Sequence, residues 1–394
     1  MSDQIANKPE RPGRGNVRLP GPLHVALFSP SMTWGGAELM FKRLAVGFAH
    51  SGLSTDLVLA SADGPNLSEL PPAVRIIDLH CRRLVASFGP LLRYLRTANP
   101  DVLISTLDHA NLLAVWARSA AETSPQLILR EANTMSVVAS ESGDLRDRAL
   151  PRLARAFYPR ADVVVAVSKG VADDLVDNIG IPRSMVRVIY NPTYDKDLAS
   201  LMKEPVNHPW FGDEGPPLVL SVGRLSAQKR FDMLLRAVAM ALEERPIRLL
   251  ILGDGEERTR LESLARDLGI QDSVSMPGFA QNPYAYMARS NLYVLSSAWE
   301  GFPNTLVEAM ACGLPVVSTY CPSWPREILG TLAPGPGPLG TLVPVDDPSK
   351  LSEAILLSLN TEHDSACLVR QAARYSSERA VRSYIDLMRV RKER

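Results

Sequence analysis

The chain of 394 residues contains no apolar run long enough to cross a bilayer, and its N-terminus lacks the apolar core of a signal peptide. The expectation is a protein that is not integral to a membrane. Cysteine is scarce: Cys81, Cys312, Cys321 and Cys367 lie far apart without C-x-x-C spacing, which excludes a disulfide framework or a zinc site and fits a reducing cytoplasm. Excess charge is missing too, since 43 Lys and Arg balance 43 Asp and Glu, and no basic stripe interleaved with aromatics offers a nucleic-acid surface. The first strand is not followed by G-x-G-x-x-G, which argues against a nicotinamide or flavin enzyme.

What is present is the composition of a soluble globular protein, 46% hydrophobic and 22% charged, in a chain too long for one ordinary core. Residues 1–22 hold several prolines and basic residues with little to bury and read as a disordered tail. From Leu23 onward short apolar strands alternate with helical patterns, the signature of a doubly wound, mostly parallel α/β sheet. The run from Asn191 to Asp197 breaks that alternation and reads as a hinge, and its D-x-D triplet, Asp195 and Asp197, reads as charged linker. The expected division is residues 23–192, residues 193–375 and a closing segment of residues 376–394. Gly330 to Pro344, rich in Gly and Pro, reads as a mobile loop.

The stretch from Ser297 to Ser318 is the most informative. It runs from a strand end through a Gly/Pro turn into a helix beginning near Asn304 or Thr305, then past Gly313 into another strand. A helix start of this kind presents free N–H groups and the positive end of its dipole to an anion. Glu300 and Glu308 flank that anion site, one before the turn and one a helical turn in. A sugar nucleotide suits this arrangement, with its diphosphate on the N–H groups, sugar hydroxyls on one carboxylate and ribose hydroxyls on the other.

The sequence E-G-F-P-N-T-L-V-E-A-M-A-C-G-L-P-V-V, with its E-x7-E spacing, resembles the donor-site signature of retaining GT-B glycosyltransferases of family 4. The resemblance implies two facing Rossmann-like domains with a C-terminal helix crossing back to the first. It implies sugar transfer from a nucleotide sugar, with UDP as the expected carrier, to a hydroxyl of a lipid-linked or surface-polysaccharide acceptor, with retained configuration and neither metal nor cofactor. Arg224 and Lys229, in G-R-L-x-x-x-K, match the family's diphosphate clamp together with the helix start at Thr305 and Leu306. Glu308 would take the ribose, Glu300 and the backbone of Gly301, Phe302, Pro303 and Asn304 the donor sugar, and Gly278 with Phe279 the base. Gly35 and Gly36 resemble the N-terminal glycine loop that faces the donor across the cleft. Cys321 to Leu329 departs from the family pattern, because Trp324 stands where a glycine is usual.

Ligands of doubly wound sheets lie beyond the carboxyl ends of the strands. This draws in Asp108 and His109 after one strand and Arg130 and Glu131 after Leu127–Leu129, the latter resembling the family's E-R-N segment in reversed order. His109 is the catalytic candidate on this side, and the other three are acceptor-side candidates. Two arginine-rich amphipathic segments, residues 82–96 and 146–160, could lie on an anionic membrane surface or be solvated helix faces. A nucleotide-sugar epimerase and a catalytically silent scaffold of the same fold remain open as alternatives, separable by whether an acceptor is needed and whether the donor is consumed.

Overall fold

The computed structural model describes residues 22–33, 35–67, 70–212, 215–321, 325–330 and 333–389. Residues 1–21 of the expected tail, and Trp324, lie outside them.

Seven strands, β1 (His24–Ser29), β2 (Ser54–Leu59), β3 (Val74–Asp78), β4 (Val102–Thr106), β5 (Gln126–Glu131), β6 (Val163–Ala166) and β7 (Val186–Val188), form one all-parallel sheet in the order β3-β2-β1-β4-β5-β6-β7. A second sheet follows. It comprises β8 (Leu218–Val222), β9 (Arg248–Leu252), β10 (Val274–Gly278), β11 (Leu292–Leu295), β12 (Val316–Thr319), β13 (Gly335–Gly337) and β14 (Gly340–Val343), in the order β10-β9-β8-β11-β12-β14-β13. Every residue of β1, β4, β5, β11 and β12 is buried, as a sheet covered by helices on both faces requires. The expected α/β class with two Rossmann-like sheets is what the chain adopts.

The hinge and the return are laced together. The Thr193 N–H donates to the Tyr375 carbonyl (3.0 Å) and the Ser377 N–H to the Tyr194 carbonyl (3.0 Å), so the chain crosses between domains twice at one place. The helix Ser377–Arg389 then packs on the helix Gly36–His50, with the rings of Tyr384 and Phe48 6.0 Å apart. That is the expected crossing helix.

Two local expectations are corrected. The Gly/Pro-rich segment is no mobile loop at residues 335–343: β13 and β14 form an antiparallel hairpin, and β14 joins β12 in parallel, burying Leu342 and Val343. Glycine is needed there for close approach, since a Cβ on Gly340 would stand 2.6 Å from the Val316 carbonyl oxygen. The fifth strand also runs past Leu129 to Glu131, with Arg130 paired opposite Thr106 and Val165, so Arg130 and Glu131 sit within the sheet.

Candidate functional site

The loop after β11 leads into the helix Asn304–Ala311, which starts without a side-chain cap, Pro303 standing at the capping position. Apart from Asn304 and Thr305 every residue of this helix is buried, including Glu308. Its first turn is braced from below, where the Tyr293 hydroxyl donates to Thr305 Oγ1 (2.6 Å). The Leu306 N–H donates to the Pro303 carbonyl (3.1 Å). The positive end of the helix dipole therefore opens on the strand ends of the second sheet.

Glu300 is buried and doubly held: Lys229 Nζ lies 2.6 Å from Oε1, and the Ser297 hydroxyl donates to the same oxygen at 2.6 Å. Lys229, between β8 and the next helix, is held beside Glu300 because the loops after β8 and β11 are stitched together. The Ala298 N–H donates to the Gln228 carbonyl and the Gln228 side chain to the Trp299 carbonyl, both at 2.8 Å. Arg224 points outward, its side chain 74% exposed, and pairs with Glu256 at 3.1 Å. Such an exposed pair contributes about 0–1 kcal/mol and yields readily to a stronger anion.

Glu308 Oε1 accepts from the Tyr284 hydroxyl (3.0 Å) and lies 3.6 Å from Arg43 Nη1. Burial pushes its carboxyl up, and the Arg43 charge and the Tyr284 hydrogen bond oppose that. The base-side candidates lie at the end of β10: Gly278 has a left-handed backbone (φ 101°) and its carbonyl accepts from the Gly253 N–H (2.8 Å), while Phe279 is half exposed.

The first domain presses against this unit. A Cβ on Gly36 would lie 3.5 Å from the Asn304 side chain, and Asn191 donates to Asn304 Oδ1 at 2.9 Å. The backbone at Gly301 meets that at Ala132 so closely that a Cβ would stand 1.9 Å from the Ala132 carbonyl oxygen. Ser168 does two jobs. It accepts from the Val171 N–H as a helix cap (3.3 Å), and its hydroxyl donates to the Gly301 carbonyl (2.7 Å). A cavity of about 370 Å³ opens between Thr134, Ser136 and Asp174 on one side and Tyr320 and Arg326 on the other.

Two family models match the chain: glycosyltransferase family 4 over residues 34–194 and glycosyl transferases group 1 over residues 206–375. Together they take in β2–β7 of the first sheet and all of the second. The chain belongs to this family of GT-B glycosyltransferases. Its relatives include an N-acetylgalactosamine-N,N'-diacetylbacillosaminyl-diphospho-undecaprenol 4-alpha-N-acetylgalactosaminyltransferase of Campylobacter jejuni, 29% identical over 86% of this chain and 90% of that protein. A lipopolysaccharide core biosynthesis glycosyltransferase, LpsE of Rhizobium meliloti, is 28% identical over 74% of this chain and 78% of the relative. Among solved structures, Anabaena HepE in complex with UDP aligns with a TM-score of 0.72 at 20% identity, covering 93% of this chain and all of that one (100%).

In this glycosyltransferase the acceptor-side candidates separate. Arg130 is buried and donates to Thr106 Oγ1 (2.8 Å) and to Asn191 Oδ1 (2.6 Å), so it is linked to the donor helix through Asn191 and Asn304. Glu131 is buried as well, accepting from Asn111 (2.5 Å) and Tyr158 (2.6 Å). Its Oε2 is enclosed without a hydrogen-bond partner, and Asp108 is a neighbouring acid. Burial, then the neighbouring acid, pushes the Glu131 carboxyl well up. His109 is the second residue of the next helix, is half exposed, and has Asp147 at 3.5 Å. No contact among the described residues joins it to Glu300 or Glu308.

Sequence reasoning missed Arg43, Tyr284 and Asn191, the partners of Glu308 and Asn304. None belongs to the motif, and each comes from a different distant segment. Among the described residues no three His, Cys, Asp or Glu side chains gather as a metal site.

Proposed function

We propose that this glycosyltransferase moves a sugar from a nucleotide sugar, UDP-linked, to a hydroxyl of a lipid-linked or surface-polysaccharide acceptor, retaining the anomeric configuration and using no metal. The observation that carries this reading is the single loop-and-helix unit holding Glu300 with Lys229 at one end, Glu308 with Tyr284 and Arg43 at the other, and an uncapped helix start between them. Lys229 has three donors, so it can keep Glu300 in place and still meet the diphosphate, with Arg224 swinging in from its exposed pair. Fixed cations and the positive end of the helix dipole supply the charge stabilisation that a metal would otherwise supply.

In this reading Glu308 takes the ribose, Glu300 and the Gly301–Asn304 backbone the sugar, Gly278 and Phe279 the base, and the loop at Gly35 and Gly36 closes over the donor. The leaving phosphate assists deprotonation of the acceptor on the same face of the sugar, with His109 on the acceptor side. Support for a UDP-linked donor comes from the neighbouring fold of HepE, solved with UDP and with UDP-glucose. Support for a lipid-linked or lipopolysaccharide acceptor comes from the names of the Campylobacter and Rhizobium relatives.

The two arginine-rich segments support a peripheral place on the cytoplasmic face of a membrane. Both pack against the helix Asp108–Ala120, and they leave Val85 (82%) and Leu145 (76%) exposed beside Arg82, Arg83, Arg146 and Arg148. No described helix is long and apolar enough to cross a membrane.

A panel of nucleotide sugars, assayed for nucleoside diphosphate release with and without polyprenyl-diphosphate glycans, tests the reading, and NMR of the product reads the anomer. Acceptor-dependent release with an α-product from an α-donor is expected. Donor conversion without acceptor would point to an epimerase, and no consumption of any donor to a scaffold.

A further inference from the structure

Arg43 is spent on more than one task. Its side chain, 11% exposed, projects from the helix Gly36–His50 of the first domain into the hinge, where Nη1 donates to the carbonyls of Pro192 (3.2 Å) and Thr193 and Nε lies 3.3 Å from Asp195. Across the boundary, Nη2 donates to the Tyr284 hydroxyl at 2.6 Å. A tyrosine hydroxyl has one proton, and with its oxygen accepting from Arg43 that proton is directed to Glu308 Oε1, 3.0 Å away. The order of donation is thereby fixed: hinge-anchored guanidinium, phenol, carboxylate. Oε2 of Glu308 accepts no hydrogen bond from any described residue and is not among the fully enclosed orphan atoms, so it keeps open acceptor capacity.

We propose that Arg43 is a positioning residue for nucleotide recognition, acting through Tyr284 on Glu308 so that the ribose is gripped only when the hinge and both domains stand as they do here. The proposal rests on the reading of Glu308 as the ribose carboxylate and adds to it the link to domain closure. If the domains part, Glu308 loses the Arg43 charge that offsets the cost of its burial. Ribose binding therefore favours the closed arrangement, and the closed arrangement favours ribose binding.

The test is calorimetric. UDP, GDP and ADP are titrated into the full chain, and the tightest is carried forward with its 2′,3′-dideoxy counterpart. Arg43→Met and Tyr284→Phe are each expected to weaken the ribonucleotide about tenfold, the scale of one charge-assisted hydrogen bond, and to leave the dideoxy nucleotide within about twofold of wild type. Asp195→Asn, which disturbs the hinge contact but not the phenol, is expected to leave the ratio of the two affinities intact. Equal losses for both nucleotides, or no loss in either variant, would overturn the relay. If Arg43→Met fails to fold, Tyr284→Phe carries the same test with the hinge contacts in place. A wild-type protein that binds both nucleotides equally refutes the ribose assignment itself and the relay with it; wild-type discrimination preserved in both variants refutes only the relay.

Discussion

Gly301→Ala places one methyl group at the tightest point between the domains. The new carbon would lie 1.9 Å from the Ala132 carbonyl oxygen, 2.7 Å from its carbon and 2.9 Å from Asn133 Cα, all backbone atoms that cannot rotate away. Ordinary contact requires a retreat of about 1.5 Å. That movement breaks the 2.7 Å bond from Ser168 to the Gly301 carbonyl, a net loss of about 1 kcal/mol. It also shifts Glu300, the preceding residue, against the first domain. A misplacement of about 1 Å in a reacting constellation can lower the rate about 10²-fold. The expected outcome is a folded enzyme with kcat lowered about 10²-fold, and with the domains further apart by small-angle scattering. Since the Ser168 bond is lost either way, Ser168→Ala should reproduce the small stability loss but not the collapse in rate. Wild-type turnover in Gly301→Ala would refute the idea that this interdomain contact sets the geometry of the site.

Three further outcomes are expected. Lys229→Ala should lower transfer about 10²-fold or more, as for loss of one preorganised donor at a developing anion, and EDTA should leave wild-type activity nearly intact; strict dependence on Mg or Mn contradicts this. Because the Glu131 carboxyl is raised in the folded state, its contribution to stability is full below its ordinary value of 4.5 and is lost as pH rises toward the folded value, by at most about 1.4 kcal/mol per pH unit. Glu131→Gln should therefore flatten the decline of the urea midpoint above pH 4.5, and an unchanged slope contradicts a carboxyl raised by burial. Changing Arg82, Arg83, Arg93 and Arg96 to Gln should weaken sedimentation with anionic vesicles at low salt about tenfold or more, each cation near such a surface contributing about 1 kcal/mol; unchanged sedimentation and transfer return these residues to solvated helix faces.

The parts of the site legible in the sequence are those that one contiguous segment encodes. From Ser297 to Ser318 the strand, the Gly/Pro turn and the buried helix follow each other directly, and the two glutamates keep their spacing because a single helix start carries both. The partners of Glu308 were not legible. Arg43 and Tyr284 are 241 residues apart and meet only because the first domain packs on the second. Strand-end reasoning also misjudged depth: with β5 two residues longer than its apolar core suggests, Arg130 and Glu131 pair within the sheet and answer to Thr106, Asn191, Asn111 and Tyr158. Gly335 to Val343 read as a loop because its glycines carry no apolar signal, although they allow the hairpin to approach β12.

The central claim is that one nucleotide sugar spans Glu300 and Glu308, with the reacting sugar at Glu300 and the ribose at Glu308. Steady-state kinetics of Glu300→Gln and Glu308→Gln with the preferred donor test it most directly, because each change keeps size and removes charge. Glu300→Gln is expected to lower kcat by about 10²-fold with little change in donor KM, and Glu308→Gln to raise donor KM about tenfold or more with a smaller effect on kcat. Wild-type turnover in Glu300→Gln, or an unchanged donor KM in Glu308→Gln, would contradict the account.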